Sequence, residues 1–198
     1  MKKLLILIIL TLFVVTSASA QKLRDNLKVN NEYFNIVYSE VLQQPKSVNY
    51  VVRCPDGTAS RSGMEFYTID GIRTSDSYDY VDNQWDKGHM APAASFNCNT
   101  FMLRTTFTYV NCALQQQALN RGVWKALEIR ERALAMNKTV SVTIFIDFNK
   151  PIRRVSGGAA IPSGFYKELR YGNIKECYYF LNVTPATRDI NTYKCNCR

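Results

Sequence analysis

The chain has one histidine, His89, among its 198 residues, which excludes a metal centre built from several imidazoles. No cysteine pair has C-x-x-C spacing, so the zinc reading of the cysteines fails too. Internal repeats, low-complexity tracts and linker-like stretches are absent. Long apolar runs are confined to the N-terminus, where Leu4 to Val15 is broken only by Thr11. Crossing a bilayer takes about 20 apolar residues, so this run is too short for an anchor. Met1-Lys2-Lys3 before it and the small residues Thr16 to Ala20 after it complete a secretory signal peptide over 1–20. Residues 21–198 are therefore expected to form a single exported domain, secreted or periplasmic, with no membrane attachment.

Acidic residues are in short supply: 16 Asp and Glu face 25 Lys and Arg, for a formal charge of +9. Loss of Lys2 and Lys3 with the leader brings this to +7. A basic exported protein is suited to a polyanion, bound through phosphates and without base readout. No helix-turn-helix or zinc-finger pattern points to sequence recognition. With 46% hydrophobic and 21% charged residues the chain is globular, and disorder is excluded.

Cys54, Cys98, Cys112, Cys177, Cys195 and Cys197 form an even set in an oxidising compartment, which predicts three disulfides. Six cysteines allow 15 pairings. Only bonding between Cys195 and Cys197 is disfavoured by geometry, so two bridges are expected to staple the tail to the body, with connectivity open.

Residues 34–39, 48–53, 101–110, 140–148 and 177–183 are rich in β-branched and aromatic side chains and predict strands. Gln43 to Ser47 is turn-prone, and 55–86 reads as loop. A helix is expected from about Gln116 to Met136, with Trp124, Leu127 and Leu134 near its apolar face. Strands around one long helix indicate an α+β fold with a mostly antiparallel sheet.

The chemistry concentrates in two segments. Asp86-Lys87-Gly88-His89-Met90-Ala91-Pro92-Ala93-Ala94-Ser95-Phe96 places the lone histidine beside a cation and a glycine. The glycine is expected to let an anion approach the backbone. His89 alone has an ordinary pKa suited to a general base near neutrality. In the second segment, Asn120, Trp124, Glu128 and Arg132 are four apart and drift along one helical face, so Asn120 and Glu128 can share a site. The same spacing also describes a solvated face with a Glu–Arg pair.

Together, D-K-G-H-M-A-P-A-A-S-F followed by N-x-x-x-Q and N-R-G-x-W-x-x-L-E-x-x-x-R resembles the DNA/RNA non-specific endonucleases, the ββα-metal (His-Me finger) nucleases. Gly63–Tyr67, Ile72–Asp76, Asp79-Tyr80 and Ile161–Lys167 are similar to the flanking parts of that family. The resemblance implies a ββα-metal fold with a long metal-site helix and a metal-dependent cleavage of DNA and RNA through backbone phosphates. It implies His89 as general base, Asn120 as the direct protein ligand of one Mg²⁺ (with Mn²⁺ able to substitute), and Glu128 as the carboxylate orienting the waters around it. Asn111 would support the site, and Lys87, Arg132 and Arg73 would contact the phosphate. Two positions depart from the family's pattern: Lys87 stands where arginine is usual, losing a bidentate fork, and Leu114 where proline is common. Two other readings compete: a nucleic-acid-binding protein without catalysis, and a phosphodiesterase for small phosphodiesters.

Overall fold

The computed structural model describes residues 22–198, so the leader assigned to 1–20 lies outside the described part. Six strands form an antiparallel sheet: β1 (Leu27–Asn30), β2 (Phe34–Ser39), β3 (Gln44–Val51), β6 (Val140–Asp147), β7 (Gly164–Tyr171) and β8 (Ile174–Leu181), in the order β1-β2-β3-β6-β7-β8. Alternation sets the faces. In β6, Val140, Val142, Ile144 and Ile146 are buried while Ser141, Thr143, Phe145 and Asp147 are not. The inward faces of β2, β3, β7 and β8 join them in one core, with Phe34, Ile36, Val48, Phe165 and Phe180. Pairing of Ile144 with Lys167 puts a lysine on that inward face as well.

A separate two-stranded sheet, β4 (Trp85–His89) with β5 (Cys112–Gln116), precedes the helical segment. Its antiparallel register sets His89 opposite Cys112 and Trp85 opposite Gln116. Gln116 then caps the short helix α2 (Gln117–Leu119) by accepting from the Leu119 amide, at 2.9 Å. A wider π-type turn over Asn120–Trp124 leads into α3 (Lys125–Ala135), and Gly122 lies inside it with non-helical φ −103° and ψ −110°. The turn breaks the regular four-residue face. Trp124 is buried against Phe165 and Phe180, at ring distances of 5.5 and 5.7 Å, while Asn120 and Glu128 stay partly open. Emptying a site of this size costs about 3–5 kcal/mol, so Trp124 anchors the helix to the main sheet. Asn182, at the end of β8, ties that sheet to β5: it donates to the Leu114 and Pro162 carbonyls (2.9 and 3.0 Å) and accepts from the Gln116 amide (2.8 Å).

The α+β architecture and mostly antiparallel sheet agree with expectation, as does the strand at 34–39, and the strand expected over 140–148 ends at Asp147. Four expectations are corrected. Residues 101–110 are not a strand: α1 (Thr100–Thr105) and a 3₁₀ turn over Tyr109–Asn111 occupy them. Asn99 caps α1 by accepting from the Met102 amide, and the hydroxyls of Thr105 and Thr106 donate to the Met102 and Leu103 carbonyls, which lets β-branched residues end a helix. The Gln43–Ser47 turn shifts upstream, because Gln44 to Ser47 already pair in β3 and Gln43 takes a positive φ of 54°. The 55–86 stretch is not all loop, since β4 opens at Trp85 and a capped 3₁₀ turn spans Ser77–Tyr80.

The fourth correction concerns the cysteines. Two disulfides form, Cys54–Cys98 and Cys177–Cys197, and the tail is stapled once. Cys195 is exposed and free, its amide donating to the Cys177 carbonyl while Cys197 takes the sulfur. Cys112 is buried and free, with its Sγ 3.1 Å from the Tyr80 hydroxyl. Burial pushes its thiol up to about 12, so it behaves as a small core residue.

Candidate active site

Asn111 fixes the exit of β4. Buried at the start of β5, it accepts from the Ala91 amide at 2.8 Å and donates to the Ala91 and Thr106 carbonyls at 2.9 and 3.0 Å. These bonds use three of its four capacities on backbone, so it holds the chain beside His89 and does not reach a substrate. Gly88 is also explained locally. A Cβ there would lie 2.4 Å from Gln115 Oε1 and 2.7 Å from Gln115 Cβ. The space above Gly88 is therefore filled by Gln115, which corrects the expectation of an open approach for an anion.

His89 sits between two rings, Phe66 and Phe107, each with its centroid 4.8 Å from the imidazole. Its Nε2 is shielded and has no hydrogen-bond partner. Burial, with a smaller contribution from the positive charge of Arg61, pushes the imidazole down to about 3. The ring is therefore neutral at physiological pH, but burial makes it a weaker base than the near-neutral one expected from the sequence.

Lys87, two residues earlier and so on the same face of β4, is surrounded by aromatic rings. Its Nζ lies 5.7, 5.9 and 5.6 Å from the centroids of Phe66, Tyr80 and Tyr109. Each is within cation–π range.

At the start of the helical segment, Asn120 donates from Nδ2 to Asp86 Oδ2 at 2.9 Å. Arg121 grips the same carboxylate with both arms, at 2.8 and 2.6 Å. Asp86 thereby orients the Asn120 amide and leaves Oδ1 without a hydrogen-bond partner among the described residues. Further along, Glu128 is half-buried, and burial, opposed by Lys167, raises its carboxyl to about 7. Lys167 itself is fully buried, 2.6 Å from Glu131 and 4.2 Å over the Trp124 ring. Tyr50 donates to the other oxygen of Glu131 at 2.6 Å.

An open cleft of about 1070 Å³ joins these parts. It is lined by His89, Lys87, Asn120, Glu128 and Arg132, so five of the seven expected site residues meet there. Asn111 lies behind the cleft, and Arg73 lies outside its lining, with its amide 3.0 Å from Glu40. Arg61, Arg121, Lys125, Phe66 and Phe107 line it too, although sequence reasoning missed them. Arg121 and Lys125 share the signature helix and were legible as cations there. Arg61 and Phe66 come from an irregular loop and carry no periodic signal. Five cations (Arg61, Lys87, Arg121, Lys125 and Arg132) face two carboxylates, Asp86 and Glu128, which suits an anionic ligand.

The donor set also bears on a metal. Among the described residues no group of three His, Cys, Asp or Glu side chains is placed to chelate an ion. The available oxygens are the Asn120 Oδ1, held by Asp86, and the Glu128 carboxylate. Such a set fits a hard, largely hydrated divalent cation and does not fit zinc in a closed cage.

Comparisons with known proteins agree with this geometry. A family model described as DNA/RNA non-specific endonuclease matches residues 16–196. The chain is 31% identical over 81 residues to the mitochondrial nuclease EXOG of Danio rerio, a match spanning 39% of this chain and 24% of that protein's length. The fold is similar to a chain in the crystal structure of the EndoG/EndoGI complex, with a TM-score of 0.77 and 21% identity over 85% of this chain and 80% of that one. With the family model matched over nearly the whole chain and the β4–β5–helix unit carrying His89 and Asn120 in place, this protein belongs to the DNA/RNA non-specific endonuclease family.

Proposed function

We propose that the protein is an exported endonuclease that hydrolyses phosphodiester bonds of DNA and RNA with little sequence or sugar preference, using one Mg²⁺. The observation that carries this reading is the convergence of a neutral His89, an oriented Asn120 amide and Glu128 in one cleft lined by five cations. The five cations lining the cleft suit a polyanionic polymer better than a small phosphodiester.

In this reading the imidazole, clamped by Phe66 and Phe107, takes a proton from a water through its unshielded ring nitrogen. The water oxygen bonds to phosphorus as the bond to the 3′ oxygen breaks. Asn120 Oδ1 and Glu128 would hold the hydrated cation. When bound there, Mg²⁺ supplies charge neutralisation at the phosphate and at the departing oxygen. Lys87 and Arg132 bind the phosphate from the protein side, and Asp86 keeps the Asn120 amide from rotating. Arg73, outside the cleft lining, would meet a substrate only beyond the reacting phosphate. The leader at 1–20 and two disulfides support export.

The test is cleavage of supercoiled plasmid, single-stranded DNA and RNA by the purified protein, with Mg²⁺ and with EDTA. All three substrates should be cut with Mg²⁺ and none with EDTA, while the melting curve stays the same. Full activity in EDTA would contradict the cation requirement. A sharp recognition sequence would contradict binding led by the backbone.

A further inference from the structure

Arg121 and Lys125 line the cleft on one side and a second groove, of about 600 Å³, on the other. They are one α-helical turn apart in sequence and form the ridge between the two spaces. The far wall of the second groove is the segment after β8, which contributes Thr184, Thr187 and Arg188, and its floor includes Ile129. No acidic side chain lines it. Arg121 is engaged by Asp86, whereas Lys125 and Arg188 make no ion pair among the described residues.

The wall is held firmly against the catalytic elements. Thr184 accepts from Gln116 Nε2 at 3.1 Å, and Gln116 is the residue that caps the helical segment leading to Asn120. Thr187 is held from the other side, its carbonyl accepting from the Tyr193 hydroxyl at 3.0 Å while Tyr193 stacks on Phe180 at 4.8 Å. Arg188 therefore projects from a braced segment at a fixed place relative to the cleft. The groove's walls are largely apolar, Val123, Ile129 and Pro185 among them, but its charged side chains are all cations, and, continuous with a site that takes a phosphodiester, these have the chemistry to take the next stretch of the same polyanion.

We infer that this groove is a second phosphate-binding subsite, in which Lys125 and Arg188 hold the backbone of a nucleic acid strand running out of the cleft over the Arg121–Lys125 ridge. The inference rests on the nuclease reading of the cleft and assigns the path of the strand beyond it. It predicts that affinity depends on substrate length. A strand confined to the cleft gains nothing from Arg188, and a longer one does.

The experiment is binding of fluorescent single-stranded DNA of about 20 nucleotides, longer than the roughly 4–16 nucleotides common for single-strand sites, to the full exported chain in EDTA at several salt concentrations. Arg188→Ala should weaken binding severalfold and make the slope of log affinity against log salt shallower by about 0.7, the single-strand value for one lost phosphate contact. Arg188→Glu should weaken it about tenfold or more, since it adds repulsion. The affinity gained on lengthening the probe from about 4 to about 20 nucleotides should shrink in both variants. Arg188 is exposed, so neither change threatens the fold. An Arg188→Glu protein with unaltered affinity and salt slope overturns the inference. If the unmodified protein binds the long probe through Arg188 yet cuts nothing when Mg²⁺ is added, the nuclease reading fails and the subsite stands.

Discussion

At Glu128 the proposed cation site and the stability of the fold pull in opposite directions. Burial raises its carboxyl from 4.5 to about 7, although Lys167 pulls the other way. Because the folded value is the higher one, the folded protein keeps a proton that the unfolded chain releases. Below pH 4.5 this has no effect, and the destabilisation grows as pH rises toward 7 and is complete above it. Glu128→Gln should therefore stabilise the cation-free protein at pH 8 and do little at pH 4. The gain should reach up to about 3 kcal/mol, since each tenfold change in proton affinity is worth about 1.36 kcal/mol. The same change should lower Mg²⁺-dependent cleavage at least tenfold, as expected when a polar neighbour of a bound cation is lost. Thermal melts in EDTA at the two pH values check the first part. Equal effects at both would show that burial does not govern this carboxyl.

At the scale of elements, the β4–β5 pair depends on a single missing Cβ. Gly88→Ala would put that atom 2.4 Å from Gln115 Oε1 and 3.2 Å from the Ala113 carbonyl, with Gln115 buried and unable to swing out. Overpacking of this kind costs typically about 1–3 kcal/mol, and β4 carries both Lys87 and His89, so cleavage should fall with stability. Adding Gln115→Gly, which removes both the Oε1 and the Cβ that the new methyl would meet at 2.4 and 2.7 Å, should recover part of the stability. Denaturant titrations of the single and double variants measure this coupling, and strict additivity would contradict it. Much of this architecture was legible in the sequence. The β-branched and aromatic content of 140–148 marks a strand, and the spacing of Asn120, Glu128 and Arg132 reports a shared face. The π-type turn was not legible, since it arises from the backbone at Gly122 and the burial of Trp124 against Phe165 and Phe180. Nor was the helix at Thr100–Thr105, where hydroxyl bonds and the Asn99 cap override a β-like composition. Arg61 and Phe66 reach the cleft from an irregular loop, and long-range placement of that sort leaves no mark in spacing.

Over the whole molecule, two crosslinks and a basic cleft define how the protein should behave. Thiol titration after denaturation without reductant should find two thiols, Cys112 and Cys195, and in the native state only the exposed Cys195 should react. Finding none would restore a third bridge. By loop length, Cys54–Cys98, 44 residues apart, should contribute about 4 kcal/mol and Cys177–Cys197, 20 apart, about 3 kcal/mol in the chain-entropy model. In the proposed hydrolysis, His89 is the base that activates the attacking water. The most direct measurement is plasmid cleavage by His89→Ala at saturating Mg²⁺, with and without added imidazole. The variant should lose roughly 10²–10⁴-fold in rate while retaining its melting temperature and DNA affinity. Imidazole should restore part of the rate by entering the slot between Phe66 and Phe107, and the restored activity should rise with pH as free imidazole loses its proton. A His89→Ala protein that cuts at nearly the unmodified rate without imidazole would contradict the account.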